Sequence, residues 1–112
     1  MRHESLYLTD IVEAADHIAG TDFRAFQQSE MLRSAVVQKL AIIGEAAARI
    51  SEELRTRRPE VPWPQIVAFR NILVHAYFGI DWDVVWRAAK NRCPVLREQV
   101  ALILAGEPGG PE

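Results

Sequence analysis

The chain has 112 residues, 49% of them hydrophobic and 25% charged, with a formal net charge of −2. That length builds one core and not two, and that charge excludes the global basic field of a non-specific nucleic-acid coat protein. A single cysteine, Cys93, excludes an intramolecular disulfide and a cysteine metal cluster. The N-terminus, Met1-Arg2-His3-Glu4-Ser5, has no apolar run like a signal peptide. No stretch approaches the ~20 apolar residues of a membrane span. A cytoplasmic location with no membrane contact is therefore expected.

Leu8, Ile11, Ala15 and Ile18 recur at helical spacing and Gly20 is a stop signal, which predicts a first helix from Glu4 to Ala19. Residues 21–28 read as a connector in which Asp22 caps a short turn that buries Phe23 and Phe26. Ser29 caps a long second helix. Its apolar series Leu32, Val36, Leu40, Ile43, Ala47, Ile50, Leu54 is the strongest periodicity in the chain. Gly44 lies inside it, where glycine costs about 1 kcal/mol relative to alanine. Close packing of another helix accounts for it. Arg55, Arg57 and Arg58 end the second helix. They read either as solvated charge complementing a helix C-terminus or as a patch gripping RNA phosphates.

Pro59, Pro62 and Pro64 make a stiff turn, and a third helix is expected from near Pro64 to about Phe78, ending at Gly79. Asp81 can cap a fourth, with Trp82, Val85, Ala89, Cys93, Leu96, Val100 and Ile103 on one stripe. Pro94 must kink or split that helix, and Asn91 could cap its second half. A Gly/Pro tail at 106–112 is expected to be disordered, leaving 1–105 as the domain. Without strand signals and with short connections, the expected architecture is all-α: an antiparallel up-and-down four-helix bundle.

The chemistry concentrates in Phe69-Arg70-Asn71-Ile72-Leu73-Val74-His75-Ala76-Tyr77. Three active side chains stand here in an otherwise almost wholly apolar helical segment. Polar groups are placed on such surface where they are paired or used. At about 100° per residue, Ile66, Phe69, Leu73 and Ala76 form the face packed into the bundle. Arg70 and Tyr77 share a line at the edge of that face. Asn71 and His75 share another, with roughly 140° between Arg70 and His75. The helix is apolar over more than one stripe, so one bundle does not bury all of it. A homodimer that packs this helix near its twin would. In such a dimer Arg70 of one chain and His75 of the other could line one cleft.

Metal-independent RNA cleavage needs a base for the 2′-hydroxyl proton, an acid for the leaving 5′-oxygen and a cation for the charged phosphorane. An unperturbed histidine titrates at about 6.5 and can serve either proton transfer. Arginine's permanent forked cation suits phosphate oxygens. Asn71 could hold the scissile phosphate or orient the imidazole. The segment has no serine, cysteine or lysine, so the 2′-hydroxyl is the natural nucleophile. His3, His17 and His75 are far apart in sequence and suggest no metal. The same residues also fit a structural role, with His75 satisfying a buried carbonyl, Arg70 pairing with Glu45, and Tyr77 in the core with its hydroxyl at the rim.

Arg70-Asn71…His75-Ala76-Tyr77, the preceding Trp63…Ile66…Phe69, Ile42-Ile43-Gly44-Glu45-Ala46, Ile80-Asp81…Val84-Val85-Trp86 and the Pro94 break together resemble the HEPN superfamily. Within it they are similar to the HepT-like toxins of HepT/MntA toxin–antitoxin modules, over about residues 6–104. The resemblance implies an all-α homodimer and metal-independent endoribonuclease activity, with Arg70 and His75 catalytic and Asn71 accessory. It implies a partner, a minimal nucleotidyltransferase antitoxin that transfers AMP from ATP to Tyr77 and silences the toxin. It implies no cofactor, since the ATP is used by the partner. Glu45 is read as an ion-pair partner orienting Arg70. The alternative is a non-catalytic helical partner of a nucleotidyltransferase, binding nucleotide with the same residues. Loss of cleavage or of binding alone in His75→Ala separates the two.

Overall fold

A computed structural model describes residues 3–106. Its α-helices are α1 (Glu4–Ala19), α2 (Phe23–Gln28), α3 (Glu30–Ala48), α4 (Glu52–Arg57), α5 (Trp63–His75), α6 (Trp82–Arg87) and α7 (Cys93–Leu104). Tyr77–Gly79 is a 3-10 turn, and Ala88–Arg92 is a π-turn joining α6 to α7. No strand occurs among the described residues, and no helix among them is long and apolar enough to cross a membrane. The tail foreseen beyond Gly106 lies outside the described residues.

The caps act where the sequence places them. Asp22 accepts from the amides of Arg24 and Ala25, Ser29 from Leu32, and Asp81 from Asp83 and Val84. Each satisfies a backbone donor that a helix start leaves open. The expected second helix, however, is broken. α3 stops at Ala48, and Ser51 opens α4 with its hydroxyl accepting from the Leu54 amide at 3.1 Å. Glu52 and Glu53 follow in the favourable first turn. Ile50 and Leu54 stay buried across the break, which is why apolar periodicity alone runs straight through it. The third helix is shorter than expected. At Ala76 the backbone leaves helical geometry (φ −118, ψ 31) and enters the 3-10 turn. Ala76 is therefore exposed rather than on the bundle face. Phe26 is buried against Trp86 at 5.0 Å, but Phe23 stays 42% exposed.

The last helix is split just ahead of Pro94, where a π-turn separates α6 from α7. The π-turn ahead of it widens the helix at Lys90, the position with which the proline ring would clash. Asn91 supplies no cap, and α7 starts without a side-chain cap hydrogen bond.

Four rods result: α1, α3, α5, and the chain from α6 to α7. They run antiparallel, as the contacts between their ends record. Glu4 accepts from the Ser51 amide, Ser34 meets Tyr77, and Asp16 pairs with Arg97. α1 lies between α3 and α7, and α5 packs on α3. The seam between α5 and α6–α7 stays open. It forms a groove of about 900 Å³ lined by Ile66, Phe69 and Ile72 on one side and Val84, Val95 and Leu96 on the other.

Cys93 sits in the core beneath this groove, and burial pushes its thiol up to about 11 from 9.0. A raised folded-state value means its contribution to stability is full below about 9 and is lost as pH rises through about 11. Urea midpoints should therefore fall between those pH values, and the fall should be smaller in Cys93→Ala.

Candidate active site

Arg70 occupies the point where α5 crosses α3. A Cβ added at Gly44 would fall on Arg70 Cβ, within 2.8 Å of its Cγ and 3.2 Å of the Ile66 carbonyl oxygen. The glycine therefore does what its sequence position suggests. It lets α5 come down close, and the residue it admits is the motif arginine. At the next residue of α3, the Arg70 guanidinium reaches Glu45 Oε2 at 3.3 Å. Arg70 is only 24% exposed, and its Nε is buried without a hydrogen-bond partner. Packing and one charge contact thus fix its stem, leaving the outer fork for an anion.

His75 is the last residue of α5 and is exposed, as is Asn71 one turn before it. Gln65, Ala68 and Ile72 are exposed on α5 as well, along the groove that faces α6–α7. Arg70 faces α3, whereas His75 is exposed at the end of α5. The helical bearing between them is about 140° and the rise about 7.5 Å.

Tyr77 lies past the helix end, in the 3-10 turn, yet still points at α3. Its hydroxyl shares a 2.8 Å hydrogen bond with Ser34 Oγ, and its ring stands edge-on to Trp82 at 6.5 Å. It is 38% exposed and so reachable from solvent. Phe78 beside it is fully exposed. Ser34 carries no sequence signal that marks it, since it interrupts an ordinary amphipathic helix.

The three arginines after α3 do not form one open patch. Arg55 folds back and donates to the Ala47 carbonyl at 2.8 Å, capping α3, with its Nε buried. Arg58 is 11% exposed and 4.0 Å from Glu60. Arg57 is exposed. Arg55→Ala should therefore act on folding, costing about 1–2 kcal/mol in a denaturant titration through the lost carbonyl contact. No group of His, Cys, Asp and Glu among the described residues is placed to hold a metal ion.

This helical scaffold, with its Arg-x4-His-x-Tyr segment seated on a Gly-Glu step, has clear relatives. A profile described as Ribonuclease HepT-like matches residues 7–103. "Putative RNase MJ1380" of Methanocaldococcus jannaschii is 37% identical over 106 residues, covering 91% of this chain and 97% of that protein. "Probable ribonuclease HepT" of Thermococcus cleftensis is 37% identical over 95 residues, covering 81% and 86%. "Putative RNase TTE0752" of Caldanaerobacter subterraneus is 33% identical over 105 residues, covering 90% and 94%. No solved structure gives a significant match. The chain belongs to the HepT-like ribonuclease family.

Proposed function

We propose that the chain is a metal-independent endoribonuclease toxin that works as a homodimer. In each of two sites Arg70 of one protomer faces His75 of the partner subunit. The observation that carries this reading is the sidedness of α5: Arg70 is anchored to Glu45 against α3, while His75 and Asn71 stand on the outward face. Either half alone lacks part of what phosphodiester cleavage needs. Ile72 and Val74, both more than half exposed, give the same helix apolar surface for its twin.

In the cleft, the Arg70 fork holds a non-bridging oxygen of the scissile phosphate and takes up the charge that develops there. The ribose 2′-oxygen attacks the adjacent phosphorus, and the bond to the 5′-oxygen breaks. The 2′-hydroxyl gives up its proton and the leaving 5′-oxygen takes one; His75 carries one of these transfers and water the other. The products are a 2′,3′-cyclic phosphate and a 5′-hydroxyl end. Cleavage of a defined RNA with end-group analysis tests this. A single 2′-deoxy substitution at the cleaved nucleotide should abolish the cut, and chelation with EDTA should leave the rate unchanged. Products with 5′-phosphate ends would refute the mechanism.

The same reading assigns Tyr77 as the control point. A cognate minimal nucleotidyltransferase would move AMP from ATP to the Tyr77 hydroxyl, releasing pyrophosphate. The hydroxyl's exposure and its seat on α3, the helix that also holds Arg70, support this. An adenylate there adds bulk and negative charge opposite the cationic site. Tyr77→Phe should keep cleavage within about two-fold, because it removes only one exposed hydrogen bond. It should also stay toxic when the transferase is co-expressed. Intact-mass spectra should show adenylate increments on the wild type and none on Tyr77→Phe.

A further inference from the structure

The end of α3 carries a cation that lies outside the motif and outside the arginine run after it. Glu45 uses its carboxylate oxygens separately: Oε2 meets Arg70 at 3.3 Å, and Oε1 meets Arg49 at 3.4 Å. Two guanidiniums on one carboxylate leave a net positive site. The shared carboxylate holds the two guanidiniums side by side. Arg49 is 60% exposed against 24% for Arg70, so it stands outward of the site, on the solvent side of the same carboxylate. Each arginine spends one terminal nitrogen on Glu45, and a guanidinium has five N–H donors. Most of the Arg49 fork is open. An exposed pair one helical turn apart contributes little to folding, so Arg49 is available to a stronger, bidentate partner such as a phosphate.

Resting on Arg70 as the cation at the scissile phosphate, we infer that Arg49 grips the neighbouring backbone phosphate of a single-stranded RNA substrate. Glu45 is then a spacer. It holds two like charges side by side at a separation that adjacent phosphates of one strand can span. A chain of net charge −2 has no broad field to draw RNA in, so its grip has to come from such a local pair. A single strand is the substrate class because attack by the 2′-oxygen in line with the leaving oxygen needs a backbone free of the regular A-form helix.

The test uses the full-length protein and a fully 2′-O-methylated oligoribonucleotide, which binds but cannot be cut. Fluorescence anisotropy over a salt series compares wild type, Arg49→Ala, Arg49→Lys and, as a control from α2, Arg24→Ala. Arg49→Ala should weaken binding about 5–20-fold and flatten the plot of log affinity against log salt by about 0.7. Arg49→Lys should restore the slope but not all the affinity, having charge without the fork. Arg24→Ala should change neither. In cleavage of an unmodified strand, Arg49→Ala should raise KM with kcat within about two-fold. An Arg49→Ala protein with wild-type affinity and slope overturns the inference, as does a wild type that does not bind. If binding depends on Arg49 but nothing is cut, the ribonuclease reading fails and the phosphate contact stands. If cutting proceeds with KM indifferent to Arg49, the reverse holds.

Discussion

Arg70→Ala and His75→Ala should each lower RNA cleavage by about 10²–10⁴-fold while the protein stays folded. The size follows from the roles. One preorganised cation at a developing phosphorane charge, or one positioned proton carrier, is worth that much in rate. The two variants should differ in stability. His75 is exposed at a helix end, so its removal should leave the melting temperature nearly unchanged. Arg70 is anchored at a helix crossing by Glu45. Its loss leaves a half-buried carboxylate with one partner fewer, at a cost of about 1 kcal/mol after allowing for solvent screening. Cleavage assays with thermal melts check both. A His75→Ala protein that cuts RNA at the wild-type rate would remove the histidine from the chemistry. A wild type that cuts nothing, with a His75→Ala protein that only binds its ligand more weakly, would favour the non-catalytic binding partner.

Gly44→Ala should be damaging although alanine is the better helix former. The propensity gain is about 1 kcal/mol. Against it, the new Cβ lands on Arg70 Cβ and comes within 3.2 Å of the Ile66 backbone, atoms that cannot swing aside. α5 must lift away from α3, and overpacking of this kind costs about 1–3 kcal/mol. The expected outcome is a melting temperature lowered by several degrees. Cleavage should fall further than the melt explains, because the displaced atom belongs to the reacting cation's own side chain. Gly44→Ser should be worse, and a second helix glycine-to-alanine change does not exist as a compensating site on α5. A Gly44→Ala protein that is more stable and fully active would mean the crossing is looser than drawn.

Much of this was legible in the sequence, and the reasons are local. Helix starts were visible because Asp22, Ser29 and Asp81 combine a capping side chain with the right neighbours. The close approach at Gly44 was visible because an unforced glycine in a long amphipathic helix is costly. The Glu45–Arg70 pair followed from two opposite charges on facing helices. The break at Ser51 was missed because Ile50 and Leu54 stay buried on both sides of it. Its signal was present as a serine followed by two glutamates, which is a helix start. The early end of α5 was missed because Ala76 and Tyr77 carry no stop residue. The π-turn was missed because proline marks where a helix must adapt but not how. Arg55 was read with its neighbours as a basic cluster, whereas its target is a carbonyl eight residues back, a contact made only once the chain turns at Ser51. Arg49 is not legible in the sequence because its partner, Glu45, is one turn back on the same helix and its setting depends on Arg70 reaching Glu45 from α5.

The composite site is best tested by mixing two inactive proteins. Arg70→Ala and His75→Ala are purified separately, combined at equal concentration, allowed to exchange subunits, and assayed on one RNA. In a mixed dimer one cleft has both substitutions, and the other keeps Arg70 from one chain and His75 from the other. Random exchange should therefore restore about a quarter of the wild-type activity per protomer. Activity that stays at background, with exchange verified by mass, would place arginine and histidine in one chain's own site and contradict the dimeric cleft.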